Sequence, residues 1–177
     1  MKIIYVRHGE VCKENGGLSD VGKNQAQSIV EYIRPENPVK VYCSPQTRAI
    51  ETAHIIANKL GLNVEVVGGV DERIQPNLEG QQALEFSQNY FNLDYVNPQV
   101  QTCKDFLVKN FKTFNEIVAR HKEKDENVIV VAHSSTLYAL GAYVNGIPQD
   151  RQIVWMQCSN CAVVKFFFDA EKVFKEL

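Results

Sequence analysis

Short apolar runs alternate with helix-period stretches along this chain. That alternation predicts an α/β fold: a three-layer sandwich with a mainly parallel central sheet and helices on both faces. The runs at residues 2–6, 39–43 and 128–132 are short and rich in β-branched or aromatic side chains, as buried strands are. Helical stretches with their own start and stop signals separate them. The length of 177 residues, 45% hydrophobic, predicts one domain (1–177) with an ordinary core.

Each element has a local reason. Residues 2–6 form the first strand, and 9–18 a Gly-rich loop. Ser19 is placed to cap a helix running to residue 34, whose apolar stripe is Ala26, Ile29, Val30 and Ile33. Pro35 and Pro38 stop it. After the strand at 39–43, Ser44-Pro45 reads as an N-cap followed by proline at the first helical position, opening a helix to Leu60 that Gly61 ends. Residues 63–67 make a third strand. The stretch 68–80 is irregular, 81–90 a short helix and 92–98 a loop. A longer helix covers 99–121, with Phe106, Leu107, Phe111, Phe114, Ile117 and Val118 as its buried face. Residues 122–127 are a charged turn. Ser134 starts a helix reaching 144, which Asn145-Gly146-Ile147-Pro148 closes. The runs 152–157 and 161–168 read as two strands joined by Cys158-Ser159-Asn160-Cys161.

Bulk properties exclude several classes. A net charge of -2 gives no global basic field for nucleic acid or an acidic membrane surface. The apolar run at the start is too short for a signal peptide, and nothing approaches a transmembrane length. The expectation is a soluble cytoplasmic protein, with no nucleic-acid or membrane partner. Five scattered cysteines argue against a disulfide framework. The C-x-x-C run lacks a second pair or a nearby histidine for zinc, so it reads as a hairpin turn.

The chemistry collects at the strand ends. In an open α/β sheet ligands bind beyond the carboxyl ends of the strands. Arg7-His8 follows the first strand, Ser44 to Arg48 the second, and His133-Ser134 the strand at 128–132. Two helix N-termini start there too, and their free N–H groups favour an anion. Guanidinium groups bind phosphate oxygens through forked, charge-assisted hydrogen bonds. A neutral imidazole can attack phosphorus, and nearby arginines keep His8 neutral. His133, if protonated, would donate to the phosphoryl oxygens. For Arg7 and His8 to reach one ligand, the strand must end between them and turn, which Gly9 makes cheap. An acid must still protonate the leaving group. Asp71 and Glu72 both qualify, and a raised carboxyl pKa would serve that role. His54 and His121 lie within helices and read as structural. Lys13, Arg73 and Glu79 read as solvated loop charges.

These residues resemble the histidine phosphatase superfamily, the phosphoglycerate-mutase-like family. Arg7-His8-Gly9-Glu10 matches its R-H-G signature. Leu18-Ser19-Asp20-Val21-Gly22-Lys23-Asn24-Gln25-Ala26 resembles L-[ST]-x-x-G-x-x-Q-A. Ser44-Pro45-Gln46-Thr47-Arg48-Ala49-Ile50-Glu51-Thr52-Ala53 resembles S-P-x-x-R-A-x-E-T-A. Glu72-Arg73 and the following Leu78-Glu79-Gly80 resemble the acid-bearing segment, and His133 the second histidine. Five matches fall in the family's order between residue 3 and about 140.

The resemblance implies a phosphoglycerate-mutase-like fold and a metal-independent phosphatase that uses no cofactor. His8 would carry a phosphohistidine, and Glu72 rather than Asp71 would be the acid. Arg7, Arg48 and His133 would hold the phosphoryl oxygens, with the Ser134 backbone N–H and Asn15 as further phosphate-binding candidates. Departures from the pattern are Val11 in place of a hydroxyl residue, the short loop holding Asn15, Pro76, and Ser134-Ser135 after His133. The alternatives are a mutase-type phosphotransferase and a low-activity phosphate-binding regulator of the same fold. The modest length between Gly80 and the last parallel strand favours hydrolysis over mutase action. Residues 75–100 are the expected lid. Their aromatics are Phe86, Tyr90, Phe91 and Tyr95, and no Lys or Arg falls within 81–100. That disfavours bisphosphates and leaves a small phosphomonoester or a phosphoprotein as substrate, with a monomer or homodimer as the working unit.

Overall fold

The four apolar runs read as parallel strands pair into one sheet. The computed structural model describes residues 1–73, 77–147 and 158–168. Its strands are β1 (Lys2–Arg7), β2 (Lys40–Cys43), β3 (Val64–Val66), β4 (Val128–Ala132) and β5 (Val163–Phe167). Their order across the sheet is β3-β2-β4-β1-β5. All neighbours are parallel except β5, which runs antiparallel to β1. The helices are α1 (Asp20–Ser28), α2 (Val30–Ile33), α3 (Thr47–Leu60), α4 (Gly80–Gln88), α5 (Cys103–His121) and α6 (Ser134–Asn145).

Strand alternation sends side chains to two cores. Ile3, Tyr5, Val128 and Val130 face Phe106, Leu107 and Phe114 of α5 and Leu137 of α6. Ile4, Val6, Ile129 and Val131 face Val30 and Ile33 of α2 and Ala49, Ala53 and Ile56 of α3. Helices therefore cover both faces, and β1 and β4 are buried along nearly their whole length.

Several boundaries differ from the sequence reading, each with a local cause. The helix expected over 19–34 breaks at Ile29. Ser28 Oγ donates to the Gln25 carbonyl at 2.8 Å, the carbonyl that the Ile29 N–H would take in a regular α-helix. Ser19 does cap α1, its side chain accepting from the Gly22 N–H. Ser44 does not cap α3: the helix begins at Thr47 with Gln46 as its cap, which leaves Pro45 outside. The helix expected from residue 99 starts at Cys103, where Thr102 Oγ accepts the Asp105 N–H and donates back to that carboxylate. The expected strand 152–157 lies outside the described residues.

Candidate active site

Register brings the functional residues together. Arg7 pairs with Ala132, and Cys43 pairs with Val131. The ladder continues one step beyond the strands, with His8 N–H donating to Ala132 O and Ser44 N–H to Val131 O, both at 3.0 Å. Ser44, His133 and His8 thus emerge side by side at one sheet edge. The His8 and His133 rings lie 5.2 Å apart between centroids.

β1 ends between Arg7 and His8, as the site requires. Gly9 serves it differently from the expectation. It is absent from the positive-φ glycines, so its role is space. A Cβ there would sit 2.5 Å from Gly22 O, and a Cβ on Gly22 would run into Glu10 O. The two glycines let the loop after His8 cross the start of α1 backbone to backbone. Other residues pin that crossing. Gly9 N–H donates to Thr52 Oγ1, Glu10 N–H to Gln25 Oε1, and Leu18 N–H to Glu51 Oε2. Ser19 Oγ donates to Glu10 Oε1.

His8 is buried and its protonation pattern is legible. Nδ1–H donates to Gly9 O at 2.8 Å, which leaves Nε2 as an acceptor, and Arg48 Nε–H donates to it at 3.1 Å. Burial, with the neighbouring charges of Arg48 and Arg7, lowers the His8 pKa to about 4, although the bond to Gly9 opposes this. The same burial and charges take His133 down to about 2. The condition under which a protonated His133 would donate is therefore disfavoured in the free site, where burial and the two arginines oppose a further cation.

Arg7 donates to the Cys158 carbonyl, while its buried Nε has no hydrogen-bond partner among the described residues. The C-x-x-C turn also holds the strand end, since Cys161 N–H donates to Arg7 O and Asn160 Nδ2 to His8 O. All five cysteines are free thiols.

Glu72 and Asp71 separate cleanly. Asp71 pairs with Lys109 at 2.7 Å, outside the cluster. Glu72 Oε1 accepts from both the backbone N–H and the hydroxyl of Ser135, and Oε2 lies 3.4 Å from His133 Nδ1. The direction of that contact is not that of a hydrogen bond, and His133 Nδ1 has no hydrogen-bond partner among the described residues.

The structure thus gathers Arg7, His8, Arg48, Glu72 and His133. Ser134 is the first residue of α6, with its Oγ 3.7 Å from Cys158 Sγ. Asn15 is exposed and spends its Oδ1 on the Gly17 N–H within its own loop. Arg73 is no solvated charge: it is 1% exposed, donates to Gln101 O, and stacks over Tyr90 and Phe86. Lys13, Glu79 and His54 are exposed. His121 is held between Tyr42 and Glu126, away from the strand ends. Sequence reasoning missed Ser44, Thr52 and Ser135 as supports. All three sit inside or beside quoted motifs, which was the available signal.

His8, Glu72 and His133 each offer a ligand atom, all within 4.8 Å of one another. A cation would fit that spacing, but the charge beside it is unsuitable, with two guanidinium groups close enough to depress both imidazoles. Cationic donors, an unpartnered Arg7 Nε–H and a bare imidazole nitrogen suit a phosphoryl group.

Comparison with known proteins agrees. The family model described as "Histidine phosphatase superfamily (branch 1)" matches residues 3–176. Phosphoglycerate mutase-like protein 4 of Arabidopsis thaliana is 30% identical over 97% of this chain and 81% of its own length. The uncharacterized phosphatase PhoE of Bacillus subtilis is 26% identical over 81% of this chain and 77% of its own. The mycobacterial glucosyl-3-phosphoglycerate phosphatase, solved with inorganic phosphate, superposes with a TM-score of 0.77 at 21% identity, covering 93% of this chain and 88% of that one. Fold, converging residues and family match lead to one conclusion: the chain belongs to the histidine phosphatase superfamily, branch 1, and is an enzyme of the phosphatase class.

Proposed function

We propose that this enzyme hydrolyses phosphomonoesters without a metal, through a phosphohistidine on His8. The observation that carries the reading is the state of His8: its ring proton is held on Nδ1 by Gly9 O, and its Nε2 lone pair faces the arginine cluster. In the first step Nε2 attacks phosphorus, the bond to the leaving oxygen breaks, and Glu72 supplies that oxygen's proton. In the second, Glu72 takes a proton from water, the water oxygen attacks phosphorus, and the P–N bond breaks to release inorganic phosphate. Arg7 and Arg48 hold the equatorial oxygens throughout, so catalysis is mainly positioning and charge stabilisation. His133 joins them as a neutral donor.

The substrate class follows from the lid proposed over residues 75–100. Phe86, Tyr90, Phe91 and Tyr138 form a chain of edge-to-face rings there. No Lys or Arg lies in 81–100 to meet a second phosphate. This supports a monoester with one anionic end and disfavours mutase action, although one relative is named mutase-like.

Hydrolysis of p-nitrophenyl phosphate in EDTA tests the reading. Turnover is expected to persist with the chelator, and the trapped phosphoenzyme to be acid-labile, base-stable and absent from His8→Ala. A label that survives that substitution, or turnover that EDTA abolishes, overturns it.

A further inference from the structure

We infer that Ser44 is a positioning residue that holds His133 as its Nδ1–H tautomer, so that an uncharged His133 donates its ring proton toward the phosphoryl oxygens. The inference rests on the phosphatase reading above and supplies what that reading lacks: a source of the proton on a histidine that the site keeps neutral.

The argument is a count of protons in a buried site. Ser44 is fully buried at the end of β2. Among the described residues its Oγ has two partners, the backbone N–H of Gln46 at 3.3 Å and His133 Nε2 at 2.8 Å. The Gln46 N–H can only donate, so Oγ accepts there. The hydroxyl has one proton, and His133 Nε2 is the acceptor within reach. Nε2 is then bare, and a neutral imidazole must carry its proton on Nδ1. The other side of the ring leaves room for that proton, because Nδ1 has no hydrogen-bond partner among the described residues and lies 3.4 Å from Glu72 Oε2. The opposite tautomer would strand the hydroxyl proton in a buried site, which is costly.

Both backbones are fixed: the Ser44 N–H donates to Val131 O, and the His133 carbonyl accepts from Tyr5 OH. Both side chains are fully buried, and the bond between them sets the ring with Nδ1 away from Ser44, without a hydrogen-bond partner among the described residues and beside His8 and Glu72. An incoming phosphoryl oxygen becomes its acceptor.

The test is a nitrogen–proton correlation spectrum of the full chain, labelled with 15N at histidine and assigned with His133→Gln, at neutral pH. The expected spectrum has a bare Nε2 and a protonated Nδ1 on His133. Ser44→Ala should shift that ring toward Nε2–H and lower kcat/KM for p-nitrophenyl phosphate by about 10- to 100-fold, at or below the cost of losing an oxyanion donor. It should also weaken inhibition by inorganic phosphate. Ser44→Thr keeps the hydroxyl and should keep both the tautomer and the activity. A wild-type spectrum with Nε2–H on His133, or a tautomer unchanged in Ser44→Ala, overturns the inference. Nδ1–H on His133 in a chain that forms no phosphohistidine overturns the enzymatic reading and leaves the tautomer standing.

Discussion

His8 shows how one environment sets both reactivity and a cost. Its pKa near 4 keeps the imidazole neutral across the pH range in which phosphomonoesters are dianionic. His8→Asn should therefore abolish phosphoenzyme formation and lower kcat/KM by about 10^5-fold or more, as removal of a nucleophile does. The cost appears in acid. An unfolded chain takes up this proton near 6.5, and the folded chain only near 4. Between those values the unfolded state binds more protons, so stability held above pH 6.5 is lost as the pH falls toward 4. His133 extends the loss toward pH 2. Urea midpoints measured from pH 7 to 4.5 should fall less steeply in His8→Asn than in the wild type. The difference should be at most about 1.4 kcal/mol per pH unit for the one proton removed. Arg7, His8, Arg48 and His133 were legible in the sequence because Arg7 closes a strand and the other three come soon after one, where a parallel sheet presents its ligands. Glu72 was not separable from Asp71 by composition or spacing. Only the motif, and then the ion pair of Asp71 with Lys109, parts them.

At the scale of elements, the loop after β1 and the start of α1 behave as one part. Gly9 and Gly22 meet backbone to backbone, where neither neighbour can swing aside. Gly22→Ala should therefore cost about 2 kcal/mol in urea denaturation, the usual range for overpacking, and displace Glu10. Thr52→Val should cost about 1–2 kcal/mol, because it strips the acceptor from a buried Gly9 N–H. Element identity was well marked in the sequence, and element ends were not. The stripe Ala26, Ile29, Val30 and Ile33 is continuous, so nothing in its spacing betrays the break at Ile29. The break comes from one hydroxyl at Ser28 taking a carbonyl. Ser44 carried a capping signal, but its Oγ accepts the N–H of Gln46, which is itself the cap, so the helix opens two residues later than Pro45 suggests. Thr102 held the real cap of α5 three residues beyond the expected start, with Asp105 completing it. Periodicity reports which face is buried, and side-chain hydrogen bonds decide where each helix stops.

Across the molecule, strand order does the assembling. With β4 between β1 and β2, three separate segments deliver His8, His133 and Ser44 to adjacent positions, and α6 brings Ser135 beneath Glu72. The segment holding Phe86, Tyr90 and Gln101 is tied in through Arg73. Its guanidinium is buried among Tyr90, Phe86 and Gln101 O, and its backbone N–H donates to Ser135 Oγ. Arg73→Ala should cost about 3 kcal/mol from the lost stacking and charged hydrogen bonds. Amide exchange should rise most in α4 and the Asn89–Leu93 turn, with β1 and β4 remaining protected. Among the described residues no helix is long and apolar enough to cross a membrane.

The bond from Arg48 to His8 Nε2 has a consequence for how the resting protein meets stray electrophiles. The nitrogen that would be acylated is already covered by a cationic N–H. An oxyanion would offer that guanidinium a stronger, charge-assisted partner. On the mechanism proposed above, His8 is thus latched until a ligand carrying its own negative charge opens it. Neutral acylating reagents such as diethyl pyrocarbonate should modify His8 more slowly than the exposed His54, a difference that mass mapping of the modified histidines would reveal.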